Sequence, residues 1–226
     1  MRKSSKLSLV LILFLFLAGC GTLCTSETVK PGQEVKLLKE GNARFVEMKL
    51  QHPNESIERR KDTALNGQKP FATVLACSDS RLPVEVIFDR GIGDIFVVRV
   101  AGNIAADNSV IGSLEYGAEH LKTPLLVILG HTACGAVKAA VENSVVEGSI
   151  RDIQKDIEPV AIKTKKEYPG LSGPELINAA AKANVLQVKR DILSRSHIIK
   201  ELVESGKLEI LTAMYNINSG KVEWVK

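Results

Sequence analysis

The sequence lacks an apolar run long enough to cross a membrane as a helix. Its run Leu9–Leu17 has nine residues, whereas a spanning helix needs roughly 20. The charge excess is small, since 30 basic residues face 26 acidic ones, so no basic footprint for nucleic acid is present. The chain also has no internal repeat and no low-complexity tract. Its 226 residues suit one domain with a full hydrophobic core.

The first 19 residues have the pattern of an export signal. Three basic residues precede the apolar run, and small residues follow it. The run ends in Leu17-Ala-Gly-Cys20, which resembles the lipobox of bacterial lipoproteins. That resemblance implies cleavage before Cys20 and a lipid on its sulfur, so we expect a lipid-anchored envelope protein that faces the periplasm. The alternative is cleavage after Ala18 or Gly21, which would release a soluble periplasmic protein.

Removal of residues 1–19 changes the charge and the cysteine count. It removes three basic and no acidic residues, which leaves a net charge of +1. Residues 20–32 are polar and short of core-forming side chains, so we interpret them as a tether and residues 33–226 as the folded domain. With Cys20 assigned to a lipid, the other three cysteines do not pair evenly, and Cys24 in the tether is given no role.

Short apolar runs alternate with helical patterns along the domain. Four runs indicate buried strands, at Phe71–Cys77, Ile95–Val100, Leu125–Leu129 and Leu208–Met214. The predicted helices are Gln33–Leu50 with a break near Gly41, Ser56–Leu65, Ser109–Leu121, Gly135–Val146, Ile150–Glu167 and Pro174–Glu204. This alternation predicts an α/β fold with a mainly parallel central sheet flanked by helices.

Two cysteines and a histidine lie at the ends of two predicted strands. The first strand runs into Cys77-Ser-Asp-Ser-Arg81 and the third into Gly130-His-Thr-Ala-Cys-Gly135. The carboxyl ends of parallel strands share one rim, so Cys77, His131 and Cys134 should converge there. Two thiolates and one imidazole suit zinc, and three protein ligands with an open fourth position are typical of a catalytic site.

Asp79 and Arg81 accompany the first of these cysteines. In an extended strand, Cys77, Asp79 and Arg81 would point the same way, which predicts a carboxylate beside the metal that a guanidinium keeps ionised. Each feature alone is weak, because a single cysteine at a strand end is commonly a small buried apolar residue and an Asp-x-Arg pair is usually a surface ion pair. Their coincidence at two strand ends favours a metal site.

The two motifs together resemble the paired signature of the β-carbonic anhydrases. Shorter matches occur in family order at Glu40–Phe45, Gly67–Pro70, Gly93–Asn103 and Gly112–Tyr116. The resemblance runs from about Gln33 to the C-terminus and is most specific through Val137. It implies the fold of that family and a zinc-dependent, reversible hydration of carbon dioxide to bicarbonate and a proton by zinc-bound hydroxide.

The resemblance also assigns roles to the residues of the site. The implied ligands of one zinc ion per subunit are Cys77, His131 and Cys134, and the implied catalytic dyad is Asp79 with Arg81. In one subgroup of the family the aspartate accepts a hydrogen bond from zinc-bound water, whereas in a closed subgroup it is itself the fourth ligand. The closed subgroup carries a tryptophan three residues before the first zinc cysteine. Here that residue is Val74, which favours the open subgroup.

Substrate-binding residues are implied in the same way. Gln68 matches a glutamine that reaches into the neighbouring subunit's pocket, and Phe96 and Tyr116 match residues that line that pocket. These assignments imply a homo-oligomer, at least a dimer, with carbon dioxide and bicarbonate as small-molecule partners. The remaining histidines offer no sequence reason to act as a proton shuttle and are interpreted as surface residues: His52, His120 and His197.

Three other functions stay open at this point. The β-carbonic anhydrase fold also hosts hydrolases of carbonyl sulfide and carbon disulfide, which keep the same zinc ligands. A non-enzymatic envelope lipoprotein could use its zinc structurally, although Asp79, Arg81 and Gln68 would then have no purpose. The third is a nucleophile built on Ser78 or Cys134 with His131, and the lack of a Gly-x-Ser-x-Gly elbow counts against it.

Overall fold

The computed structural model describes Val29 and residues 32–225. The predicted signal segment 1–19, the predicted lipidation site Cys20 and all but a few residues of the predicted tether 20–32 lie outside the described residues. Within the described ranges, none of the helices is both long and apolar enough to span a bilayer.

A five-stranded sheet forms the centre of the protein. Its strands are β1 (Ala72–Ala76), β2 (Ile95–Arg99), β3 (Leu125–His131), β4 (Glu209–Tyr215) and β5 (Val222–Val225). They lie in the order β2-β1-β3-β4-β5, with the first four parallel and β5 antiparallel to β4 at one edge. The predicted α/β fold is confirmed, and the four predicted strands agree with β1 to β4 to within two residues at each end.

The strands β1 and β3 lie in the middle of the sheet and are buried on both faces. Every residue of both strands is buried, and the register pairs Val74 with Val97 on one side and with Val127 on the other. A strand covered on both faces needs apolar side chains on both, which explains the continuous apolar runs in the sequence. The same register places the carboxyl ends of β1 and β3 side by side.

Eight α-helices surround the sheet in the described part of the chain. They are α1 (Glu34–Val46), α2 (Ile57–Asn66), α3 (Val84–Ile87), α4 (Asn108–Glu115), α5 (Gly135–Glu142), α6 (Ile150–Glu167), α7 (Gly173–Arg195) and α8 (His197–Glu204). The helices α5, α6 and α7 pack together, and α7 lies against β3 and β4. A 3-10 turn spans Ala101–Asn103, and a π-helical turn spans Tyr116–His120.

Two predicted helices differ from the structure for tertiary reasons. The predicted break near Gly41 is wrong, because α1 continues through Gly41 and lies against α3. A Cβ at Gly41 would sit 1.7 Å from the Phe88 carbonyl oxygen, so glycine permits this close approach. The predicted helix Pro174–Glu204 is two helices, since Ser196 is extended and its hydroxyl accepts a hydrogen bond from the Ile199 N–H at the start of α8.

Three further features were not predicted from the sequence. The strand β5 has four residues and is only partly buried, so it carries no long apolar run. The helix α3 is a single turn, which is too short for a periodic pattern. The predicted helix Ser109–Leu121 changes from α to π geometry at Tyr116, and π turns are frequent at functional sites.

Candidate metal centre

The three predicted metal ligands meet at the carboxyl ends of β1 and β3. Cys77 follows the last residue of β1, His131 is the last residue of β3, and Cys134 is the N-cap of α5. Their ligand atoms lie within 4.8 Å of one another, and all three side chains are buried. Because β1 and β3 are hydrogen-bonded neighbours, residues 54 positions apart in sequence come together at one rim of the sheet.

The hydrogen bond that His131 makes through one ring nitrogen leaves the other ring nitrogen free to bind a metal. Its Nδ1 lies 2.9 Å from the Thr132 carbonyl oxygen, and a carbonyl can only accept, so Nδ1 carries the hydrogen. The Nε2 atom is buried and has no hydrogen-bond partner among the residues that the structure describes. A buried nitrogen lone pair without a partner is costly, and this pattern of an anchored Nδ1 and a free Nε2 is that of a metal-ligating histidine.

The two thiols share a proton in a way that suits cation binding. A hydrogen bond from Cys134 outweighs burial and, together with the backbone N–H groups of Asp79 and Gly102, lowers the pKa of Cys77 well below its usual range. The same contact with Cys77, together with burial, raises the pKa of Cys134. The pair therefore favours a thiolate at Cys77, and a soft cation would displace the proton of Cys134. The donor set fits zinc.

A carboxylate clamped by a guanidinium lies beside this cluster. Arg81 Nε donates to Asp79 Oδ1 at 2.9 Å, and Arg81 Nη2 donates to Asp79 Oδ2 at 2.7 Å. These hydrogen bonds outweigh partial burial and hold the pKa of Asp79 far below its usual range. Asp79 Oδ2 lies 4.0 Å from His131 Nε2, so an ionised oxygen stands next to the free ligand nitrogen.

The route by which Asp79 and Arg81 meet differs from the prediction. The strand β1 ends at Ala76, and the chain turns at Ser80 and Arg81 instead of staying extended. The turn is closed by the Arg81 backbone N–H, which donates to Asp79 Oδ1 at 3.0 Å. The expectation of an extended strand through Arg81 is therefore wrong, yet the turn brings the same two side chains together.

Two residues at the carboxyl end of β2 complete the surroundings of Cys77, namely Arg99, the last residue of the strand, and Gly102, which follows it. The sequence patterns gave neither of them a role. Arg99 donates to the carbonyl oxygens of Cys77 and Asp79, at 3.1 and 2.6 Å. The Gly102 N–H donates to Cys77 Sγ at 3.3 Å. The available signal was that β2 adjoins β1 in parallel, so the last residue of β2 and the residues after it reach the rim that holds Cys77.

The predicted substrate-binding residues lie away from the metal ligands of their own chain. Phe96 is in register with Thr73, four residues before Cys77, which corresponds to about 13 Å along the strand. Its ring packs against Tyr116, with 5.8 Å between centroids, and Tyr116 in turn stacks on His120 at 4.6 Å. Gln68 is exposed in the loop that enters β1 from the opposite end. The structure groups Phe96 with Tyr116 but brings neither Gln68 nor this pair to the cluster.

Comparison with known proteins agrees with the site. The sequence model of the family described as carbonic anhydrase matches residues 72–222. Carbonic anhydrase 2 of Mycobacterium tuberculosis is 38% identical over 190 residues, covering 82% of this chain and 88% of the relative. The carbonic anhydrase of Mycolicibacterium smegmatis is 41% identical over 192 residues, covering 83% and 90%.

Solved structures give the same result for the fold. A tetrameric β-carbonic anhydrase of Sordaria macrospora superposes with a TM-score of 0.70 at 26% identity, covering 75% of this chain and 87% of that one. A β-carbonic anhydrase of Aspergillus fumigatus superposes with a TM-score of 0.68 at 27% identity, covering 74% and 80%. Fold and site together define an α/β metalloenzyme with a Cys-His-Cys centre. The chain belongs to the carbonic anhydrase family, in its β class.

Proposed function

We propose that this chain is a lipid-anchored carbonic anhydrase of the cell envelope with an open zinc site that is completed by a second subunit. The enzyme catalyses the reversible hydration of carbon dioxide to bicarbonate and a proton with zinc as cofactor. The observation that carries the proposal is the position of the Asp79–Arg81 pair beside the cluster of Cys77, His131 and Cys134.

Hydration of carbon dioxide requires a nucleophile, a group that orients it, and an apolar pocket surface for the substrate. Zinc, when bound to the three ligands, supplies the Lewis acidity that makes water a nucleophile near neutral pH. Asp79 is kept ionised by Arg81, so its oxygens only accept hydrogen bonds. We assign it the task of accepting one from the attacking water, which turns a lone pair of that water toward the carbon dioxide. Its low pKa makes it a poor base, so the proton must leave to the solvent by another route.

The proposal of an open site rests on two features of β1 and the turn that follows it. Both carboxylate oxygens of Asp79 accept hydrogen bonds from Arg81, and this clamp holds the carboxylate as an acceptor for water. Val74, which stands where the closed subgroup carries tryptophan, is fully buried in the middle of β1. The fourth ligand position is therefore assigned to solvent and not to Asp79.

The positions of Gln68, Phe96 and Tyr116 support a dimer at least. They lie away from the cluster in their own chain, and Tyr116 is 45% exposed although it is aromatic. Exposed aromatic side chains are enriched at protein interfaces. We assign these three residues to the pocket of a second copy of this chain, where Gln68 donates a hydrogen bond to the substrate. The Sordaria relative, whose structure is described as tetrameric, supports a homo-oligomer.

The membrane anchor is proposed from the sequence, since its residues are not among those described. The motif Leu17-Ala-Gly-Cys20 after a short apolar run supports a lipid on Cys20. Electrospray mass spectrometry of the N-terminal peptide from detergent-purified protein tests it. A diacylglyceryl mass on Cys20 that is lost in Cys20→Ser supports the anchor. A free N-terminus at Thr22 or Gly19 would overturn it and indicate a soluble protein instead.

The catalytic proposal is tested by stopped-flow carbon dioxide hydration on the detergent-purified chain with its zinc content quantified. Turnover that rises in proportion to zinc content supports the proposal. A parallel assay of carbonyl sulfide addresses the hydrolases that share the fold. A fully zinc-loaded protein that hydrolyses carbonyl sulfide but does not hydrate carbon dioxide would overturn the carbonic anhydrase assignment.

A further inference from the structure

Helix α7 contacts both chain segments that surround the metal ligands, each time through a side-chain amide. Asn178 Oδ1 accepts a hydrogen bond from the Ala133 N–H at 2.9 Å. Six residues later, Asn184 Nδ2 donates to the Gly102 carbonyl oxygen at 3.0 Å. Ala133 lies between the ligands His131 and Cys134, and Gly102 lies against the third ligand.

The turn from His131 to Cys134 contains a residue in a sparsely populated conformation. Ala133 has φ of 54°, in the left-handed region that non-glycine residues rarely occupy. Such a conformation persists only where the surroundings hold it. Asn178 holds the N–H of Ala133, and Arg81 Nη2 lies 3.4 Å from its carbonyl oxygen. Because Ala133 lies between His131, the last residue of β3, and Cys134, the N-cap of α5, holding its backbone constrains the distance between these two ligands.

The second amide acts on the segment that hydrogen-bonds Cys77. Gly102 has φ of 71°, and its N–H donates to Cys77 Sγ. Glycine has more conformational freedom than any other residue, and the hydrogen bond from Asn184 restricts it at this position. Asn184 is 2% exposed, so water cannot replace its amide readily. An N–H that points at a thiolate stabilises the charged sulfur and tunes its donation to a metal.

We infer that Asn178 and Asn184 are positioning residues of the zinc centre, which act through the backbone of Ala133 and Gly102 and touch neither metal nor substrate. The inference rests on the zinc site of the proposed function. Groups that orient metal ligands typically change metal affinity by 10- to 100-fold when removed. Asn178 accepts through its amide oxygen, whereas Asn184 donates through its amide nitrogen. Replacement by aspartate therefore keeps the hydrogen bond of Asn178 but removes that of Asn184.

The test compares zinc affinity, measured by competition with a chromogenic chelator, across variants of the full chain. Asn178→Ala loses the acceptor and should weaken zinc binding by about 10- to 100-fold, whereas Asn178→Asp keeps an acceptor and should restore it. Asn184→Asp loses the donor and should weaken binding. The cobalt-substituted protein supplies a second readout, because a changed Cys77 thiolate shifts its absorption bands.

Gln187→Ala is the matched control, since within the described part of the chain the Gln187 amide bonds only to Asp191 and Arg190, both on α7 itself. It should leave zinc affinity and the cobalt spectrum unchanged. The inference is overturned if Asn178→Ala and Asn184→Asp, both folded by circular dichroism, match Gln187→Ala in both readouts. Equal weakening by Asn178→Ala and Asn178→Asp would also overturn it for Asn178. A wild-type chain that binds no zinc would instead overturn the proposed function itself.

Discussion

Arg81 donates a bidentate pair of hydrogen bonds, at 2.9 and 2.7 Å, to the carboxylate of Asp79, which lies only two residues before it in the chain. The arrangement is local, so it does not depend on the packing of distant elements. It fixes the orientation of the carboxylate next to the metal ligands. Turnover should therefore depend on the charge of Asp79 more than on its size.

Asp79→Asn keeps the shape of the side chain but replaces an acceptor-only group by one that also donates. We expect kcat to fall by roughly 10²-fold, the order expected when a reacting group is no longer held in position, while zinc stoichiometry is unchanged. Stopped-flow hydration and atomic absorption on the same sample measure both. Asp152→Asn, at an exposed residue of α6, is the control and should behave as wild type. A fully active Asp79→Asn protein would contradict the role given to this carboxylate.

Cys77→Ser should remove zinc and activity together. A serine hydroxyl is a hard and weakly acidic donor, and two remaining ligands do not make a zinc site of the usual three or four. Metal content after dialysis is the measurement, with circular dichroism to show that the fold is retained. Cys24→Ser is the matched control, and it should retain both zinc and turnover. Stoichiometric zinc in Cys77→Ser would show that the ligand set is different.

Subunit mixing tests whether Gln68 serves a neighbouring site. Gln68→Ala and Cys77→Ser are each expected to be impaired as pure proteins. In a coexpressed mixture, half of the dimers are hybrids, and each hybrid holds one site with both an intact ligand set and an intact Gln68. Activity of about a quarter of wild type is therefore expected for random pairing. If the mixture shows only the mean activity of the two parents, Gln68 acts within its own chain or not at all.

An ion pair between the buried Asp89 and the partly buried Arg44 joins α1 to the chain that follows α3. Asp89 accepts hydrogen bonds from Arg44 and from the backbone N–H groups of Gln51 and His52. Burial raises the pKa of Asp89, but these contacts lower it by more, so its pKa lies below the usual value. Because Arg44 is partly exposed, its charge can be hydrated when Asp89 is replaced. The expected loss of unfolding free energy for Asp89→Asn at pH 7 is about 1 to 3 kcal/mol, the typical cost of leaving buried hydrogen-bonding groups unsatisfied.

The pH dependence of this loss follows from the direction of the pKa shift. Because the pKa of Asp89 is lower in the folded state, its stabilisation is present above the pKa of the unfolded chain, about 3.9, and is lost as the pH falls through the folded-state pKa. The difference between wild type and Asp89→Asn should therefore shrink below about pH 4. Urea titrations at several pH values measure it. Glu40→Gln, in the exposed pair with Lys36, should change stability by less than about 1 kcal/mol.

The metal ligands could be predicted because their identities and their places at strand ends carry the signal. Cys77 and His131 each terminate a strand whose apolar run is visible in the sequence, and parallel strands bring such residues together. The central strands were predictable for the same reason, since burial on both faces excludes polar side chains.

The supporting residues could not be predicted because their partners are distant in sequence. Asn178 contacts Ala133 across 45 residues, and Asn184 contacts Gly102 across 82. An asparagine on a helix looks like any solvent-facing residue until the helix is docked. At Gly41 the local pattern gave a wrong prediction. The low helix preference of glycine predicts a break, but its close contact with Phe88 occurs within an intact helix.

The order of these residues along the chain has a consequence for how the enzyme acquires its metal. The last ligand is Cys134, but the two amides that hold the ligand segments belong to α7, more than 40 residues later. A partly synthesised chain that has only its ligands would hold zinc loosely, and tight capture must await docking of α7. If the chain is exported unfolded, as proposed above from its N-terminal motif, zinc loading would follow export. The zinc supply of the receiving compartment, and not that of the cytoplasm, would then set the fraction of active enzyme.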